Sequence, residues 1–214
     1  MSLSRPILTV LTVLTACRPD PGAPQYPTRD AWNPTTDDPD FVEGDDPYEE
    51  GDERLSIGVF YEGGFSEELP VDNVTRHLYV YEETFSIGVS DDRYEGLASD
   101  AITLTGAQVW WGGGVHWDEP ADLSEWTTMH IALASTDASF DTWAIGMSDG
   151  VTEAQASVAD LGFVADGSWN SLDIPLEAFA GLDLSQVGIA LQIVGESGTA
   201  GDSLLVDGLY FTKD

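Results

Sequence analysis

Apolar residues recur at every second position along several stretches: Met129, Ile131 and Leu133; Trp143, Ile145 and Met147; Val187, Ile189, Leu191 and Ile193. A period of two with one apolar face is the pattern of a half-buried β-strand. Leu204, Val206 and Tyr210 alternate in the same way against Asp207. The pattern predicts strands near 55–61, 77–81, 85–89, 101–105, 107–111, 129–134, 142–147, 154–158, 171–174, 187–194 and 204–211. Gly, Asp, Ser or Pro separates the runs. One helical turn is expected at 175–180, where Pro175 can occupy the first position. Many short strands divided by turn signals predict an all-β fold, a two-sheet antiparallel sandwich formed as one domain by 55–214.

One stretch breaks the alternation. Trp110-Trp111-Gly112-Gly113-Gly114-Val115-His116-Trp117 places three indoles around a triple glycine. Glycine permits sharp bends and close backbone approach. The stretch is therefore expected to bend and present flat rings at a surface, where a sugar's C–H face or an apolar ligand can stack. The competing reading puts the same tryptophans in the core. Candidate ligand-binding residues are Trp110, Trp111, His116 and Trp117. Arg93, whose guanidinium is a hydrogen-bond fork, and its neighbour Tyr94 join them. Such a surface suits a neutral polysaccharide.

The first 54 residues lack the period. Residues 1–16 hold one basic residue, Arg5, and an apolar run from Ile7 to Leu14. That run is too short to span a bilayer. The segment reads as a signal peptide. It closes on Leu14-Thr15-Ala16-Cys17, which resembles the lipobox of bacterial lipoproteins. The resemblance implies that Cys17 carries lipid and anchors the chain to a membrane of the cell envelope. Cys17 is the one cysteine in the chain, so no intramolecular disulfide competes for it. Arg18, rather than Asp, follows it; by resemblance to the enterobacterial sorting rule this favours the outer membrane over the inner. From 17 to 54 the chain collects seven of its eleven prolines and several acidic pairs. That composition predicts a disordered, extended tether.

Charge narrows the partners. The formal net charge is −32, and after Arg54 the only Lys or Arg residues are Arg76, Arg93 and Lys213. Nucleic acid is excluded as a partner, because phosphate contacts need Lys or Arg. The like charge also favours a soluble monomer.

The second half carries a resemblance of its own. Asp122-Leu123-Ser124-Glu125-Trp126, Gly167-Ser168-Trp169 with Ile174-Pro175-Leu176, and Leu205-Val206-Asp207-Gly208-Leu209-Tyr210-Phe211 resemble, in that order, strands of galactose-binding-like jelly rolls. Gly208 stands where that family usually has Asn. The resemblance implies a jelly-roll sandwich of the carbohydrate-binding-module kind, covering about 94–211. It also implies a candidate structural calcium at Asp207, which would need six to eight oxygen ligands. No other cofactor is expected. No Gly-x-Ser-x-Gly, His-Glu-x-x-His or phosphate-loop pattern occurs, and His77, His116 and His130 are scattered. The chain is expected to bind rather than catalyse. The alternative is a structural or protein-interaction lipoprotein of the envelope that uses the same fold without a sugar site.

Overall fold

The computed structural model describes residues 39–58 and 60–213. The signal peptide, Cys17 and the tether as far as 38 lie outside the described residues. Among the described residues no helix is long and apolar enough to cross a membrane.

Among the described residues twelve strands form the fold: β1 (Arg54–Ser56), β2 (Glu67–Glu68), β3 (Arg76–Val80), β4 (Phe85–Ser90), β5 (Ser99–Leu104), β6 (Trp111–Ala121), β7 (Thr128–Ala134), β8 (Ala144–Ser148), β9 (Glu153–Ser157), β10 (Asn170–Pro175), β11 (Val187–Gly195) and β12 (Ser203–Thr212). They make two sheets. One runs β10-β7-β12-β1-β2, with β5 also paired to β12 and β4 to β5; the other runs β3-β6-β11-β8-β9. Every pairing of these strands is antiparallel except β1 with β2. The fold is the expected all-β jelly-roll sandwich.

The core fills the space between the sheets. Met129, Ile131, Leu133, Leu172, Ile174, Leu204, Val206, Leu209 and Phe211 enter from the first sheet, and Trp111, Val115, Trp117, Ile145, Met147, Leu191 and Ile193 from the second. The apolar phase shifts within β12, from even positions at Leu204 and Val206 to odd ones at Leu209 and Phe211. A register shift between Asp207 and Tyr210, with Gly208 at φ 59°, accounts for the change. Tyr210 therefore leaves the face it was expected to share with Leu204. A similar irregularity in β11 brings Ala190 into the core and leaves Ile189 half-buried.

Four expectations fail here, the first being the strand near 107–111, where the chain bends through 107–110 and β6 opens only at Trp111. The first strand stops at Ser56 because the chain turns, with the Phe60 amide donating to the Ile57 carbonyl at 3.2 Å. The triple glycine is no bend; it lies inside β6, a central strand. A Cβ on Gly113 would strike the Tyr79 carbonyl and the Phe85 ring, so only glycine allows that packing. The end of the tether is not free either. Val42 bridges Gly96, and the Arg54 guanidinium, itself buried, binds the Asp46 carboxylate at 2.9 Å and the Pro47 carbonyl at 3.2 Å. Residues 41–54 pack on the sandwich because Arg54, Tyr61 and Tyr210 give this acidic segment partners that its composition does not reveal. The expected helical turn survives as a short 3-10 turn, Leu176–Ala178, directly after Pro175.

Candidate functional site

The outer face of the second sheet brings together what the Trp110–Trp117 stretch was expected to supply alone. Side chains of β6 alternate, so Trp111, Gly113, Val115 and Trp117 point inward and Gly112, Gly114 and His116 outward. Trp111 and Trp117 are each 1% exposed. The Trp111 indole donates to the Ser197 carbonyl at 3.0 Å and packs on Phe140 and Trp143 at centroid distances of 5.2 and 5.7 Å. Both are core residues, which corrects their assignment as ligand platforms. Their spacing from Val115 puts them on its face, and that face is sealed by the other sheet.

Trp110 and His116 remain on the outer side, and rings from β3 join them. His77 pairs with His116 across the β3–β6 ladder, and Tyr79 pairs with Gly114. Trp110 and Tyr81 are 6.1 Å apart, Tyr81 and Tyr79 5.0 Å, Tyr79 and His116 6.5 Å, and His116 and His77 6.3 Å between centroids. Five rings thus form one continuous row along this side of the sheet. All but His77 are half-buried.

Beside the row the sheet is floored by glycine. Tyr79, Gly114, Gln192, Gly146 and Gln155 are successive cross-strand partners from β3 to β9. Because Gly146 has no side chain, the Gln192 and Gln155 side chains lie over it; a Cβ there would come within 3.0 Å of both. Gln155 Nε2 donates to Gln192 Oε1 at 3.2 Å, and Gln192 Nε2 to the Tyr81 hydroxyl at 3.5 Å. The result is a broad flat face with rings along one side and, beside them, the exposed Gln155 amide held in place by Gln192, which is 3% exposed. Asp118 ties the histidine end, with its Oδ2 3.3 Å from His77 Nε2 and its Oδ1 3.8 Å from His116 Nδ1. Burial lowers the His116 pKa despite the opposing pull of Asp118; nearby His77 lowers it further. His116 is thus a neutral hydrogen-bonding group at neutral pH.

Arg93 and Tyr94 are elsewhere. The Arg93 guanidinium donates to the Asp91 carbonyl at 2.8 Å and to the Asp40 carbonyl, tying down residues near the N-terminal segment. Tyr94 lines a cavity against the first sheet, with Ser171, Asp173 and Tyr210. Neither reaches His116, because the sandwich lies between them.

Asp207 is not arranged as a calcium ligand. Its carboxylate accepts from the amides of Tyr94, Glu95 and Gly208 at 2.9, 3.1 and 3.0 Å, fastening the loop before β5 to the bulge in β12. Burial raises its pKa to about 7 against the pull of those amides. Nearby Asp100 is raised to about 9, by burial first and by Asp207 second. Among the described residues no group of three or more His, Cys, Asp or Glu side chains is arranged to hold a metal ion.

The face therefore keeps Trp110 and His116 of the expected site, loses Trp111, Trp117, Arg93 and Tyr94, and gains His77, Tyr79, Tyr81 and Gln155, with Gln192 buried beneath. The alternation of His77, Tyr79 and Tyr81 was the signal that could have revealed the ring row. Nothing local marks the two glutamines.

No family model and no curated protein matches the chain. Several solved structures resemble it. A family 11 carbohydrate-binding module from Clostridium thermocellum, in complex with a β-1,3-1,4-mixed-linked tetrasaccharide, aligns over 65% of this chain and 89% of its own at 16% identity and TM-score 0.47. A family 30 carbohydrate-binding module of a cellulosomal cellulase of Clostridium thermocellum aligns over 66% of this chain and 92% of its own at 15% identity and TM-score 0.49. An exo-β-agarase aligns over 66% of this chain and 24% of its own at 11% identity and TM-score 0.48.

Proposed function

We propose that this protein is a non-catalytic carbohydrate-binding module, held at the bacterial cell envelope by lipid on Cys17, that binds neutral polysaccharide on the outer face of its second sheet. The observation that carries the reading is the row Trp110–Tyr81–Tyr79–His116–His77 beside the exposed Gln155 amide, which the buried Gln192 holds. A pyranose ring has C–H faces that stack on aromatic rings and a rim of hydroxyls that need donors and acceptors. An amide side chain offers both. A long flat face suits an extended chain better than a monosaccharide. The acidity of the molecule disfavours polyanions. The outer membrane remains the favoured destination, as Arg18 suggests, and the protein acts there as a monomer.

The test is a titration of the soluble chain against neutral polysaccharides, comparing wild type with Tyr79→Ala and Tyr81→Ala. Each truncation removes one stacking surface, worth about 1 kcal/mol, and is expected to weaken binding about five- to tenfold. Unchanged affinity in both variants would show that the ring row is not the platform. Failure of the wild type to bind any neutral polysaccharide would favour the protein-interaction reading.

A further inference from the structure

The histidine end of the ring row closes on a carboxylate. Asp118 follows His116 by two positions in β6, so strand alternation sets both on the outer side. The Asp118 amide donates to the Thr75 carbonyl at 2.8 Å, which fixes the backbone there. Its side chain is 49% exposed and stands between the rings of His77 and His116.

Other carboxylates at this face are engaged. Glu82, beside Tyr81 at the far end of the row, accepts from Gln108 Nε2 at 2.9 Å. Glu153 accepts from Gln155 Nε2 at 2.8 Å. Asp72, on the turn before β3, accepts from the amides of Val74, Thr75 and Arg76. Asp118 differs from all three. His77 Nε2 comes within 3.3 Å of Oδ2, yet makes no hydrogen bond. His116 Nδ1 is 3.8 Å from Oδ1, beyond hydrogen-bond reach. Among the described residues the two rings flank this carboxylate without using its oxygens as acceptors.

The 3.8 Å gap has a use. A hydroxyl oxygen can stand about 2.8 Å from both Oδ1 and Nδ1, donating to the carboxylate and accepting from the ring N–H in the tautomer that carries it. Burial keeps His116 uncharged at neutral pH, so the ring and the carboxylate do not close on each other as a full ion pair. Oδ2 remains for a second hydroxyl. Two acceptor oxygens on one carbon match two hydroxyls on adjacent carbons of a pyranose. A hydrogen bond to a charged acceptor is also stronger than one to an amide.

We propose that Asp118 and His116 form the polar subsite at the end of the ring row, and that the subsite takes an unsubstituted pair of adjacent hydroxyls on one sugar of the bound chain. The assignment rests on the polysaccharide reading of this face. It makes Asp118 a specificity-determining residue: a sugar whose adjacent hydroxyls are capped loses both bonds while keeping its stacking surface.

The full chain is titrated with galactomannan, xyloglucan and mixed-linkage β-glucan. For whichever of them binds, Asp118→Ala is expected to weaken binding about tenfold or more, the loss of hydrogen bonds to a charged group. Its melting temperature should stay near wild type, because the carboxylate holds no amide or hydroxyl of the fold. Glu119→Gln removes the adjacent exposed charge and should bind as wild type does. Adding the polysaccharide to wild type should also shift the His116 Nδ1 resonance in a nitrogen-detected imidazole spectrum. Full binding by Asp118→Ala, an equal loss in Glu119→Gln, or a His116 signal that stays in place would each overturn the proposal. Full binding by Asp118→Ala together with weakened binding by Tyr79→Ala and Tyr81→Ala would remove this subsite and leave the platform standing. No binding by wild type would remove both.

Discussion

Replacing Trp111 with Ala separates the two faces of β6. The side chain is 1% exposed and packs against Phe140 and Trp143, and its indole nitrogen satisfies the Ser197 carbonyl. Removing a buried tryptophan costs about 3–5 kcal/mol in lost transfer and cavity formation. Losing the indole hydrogen bond to the carbonyl of Ser197, an exposed residue, adds about 0.5–1 kcal/mol. Domains of this size are stable by about 5–15 kcal/mol, so the variant should lose a large share of its stability. A domain of this length loses about 2–4 °C per kcal/mol, so the melting temperature should fall by about 10 °C or more. Trp111→Phe keeps most of the volume but loses the hydrogen bond, and should fall by only a few degrees, about 1–2 kcal/mol. The assay is scanning calorimetry with polysaccharide titration below the melt. Folded Trp111→Phe should bind as wild type does, whereas Tyr81→Ala should melt near wild type and bind weakly. A Trp111→Ala variant that melts with wild type and loses binding would refute the inward orientation of β6.

Other perturbations test the glycine floor, the docked N-terminal segment, the buried carboxylates and the anchor. Gly113→Ala, whose Cβ would meet the Tyr79 carbonyl and the Phe85 ring, should lose about 1–3 kcal/mol in denaturant melts, while Gly88→Ala, with nothing within 4 Å, should be neutral or slightly stabilising. A chain begun at Leu55 should melt several degrees below one begun at Pro39, because Arg54 and its bonds to Asp46 and Pro47 are gone; equal melting would show that residues 39–54 add nothing to the fold. Asp100 and Asp207 are raised to about 9 and about 7 when folded, so the native state holds protons that the unfolded chain has already released above about pH 4. These two groups should therefore lower stability as pH rises from about 4 to about 9, and Asp100→Asn should flatten that slope in denaturation measured at successive pH values. Cys17→Ser should move the protein from the membrane to the soluble fraction, and continued membrane partitioning would rule out lipid at that residue.

The sequence by itself determined the fold class. Strands such as Met129–Leu133 and Trp143–Met147 announce themselves because large apolar residues fill the inward face and small or polar ones, His130, Ala132, Ala144 and Gly146, the other, and a period of two follows directly from that. It also contained the parity that sets Trp111, Val115 and Trp117 on one face and His116 on the other. The triple glycine concealed this, since glycine usually interrupts a strand, and its tolerance inside β6 depends on Tyr79 and Phe85 crowding Gly113 from elsewhere in the chain. Only the tertiary structure decided which face of β6 is sealed. The ring row and the glutamines come from strands ordered β3-β6-β11-β8-β9, so Tyr79, Gln192 and Gln155 meet through ladders between distant segments that no local pattern encodes. The acidic segment before Arg54 has the composition of a free linker. Its docking is decided by one buried guanidinium and by tyrosines at positions 61 and 210, partners that only chain folding brings within reach.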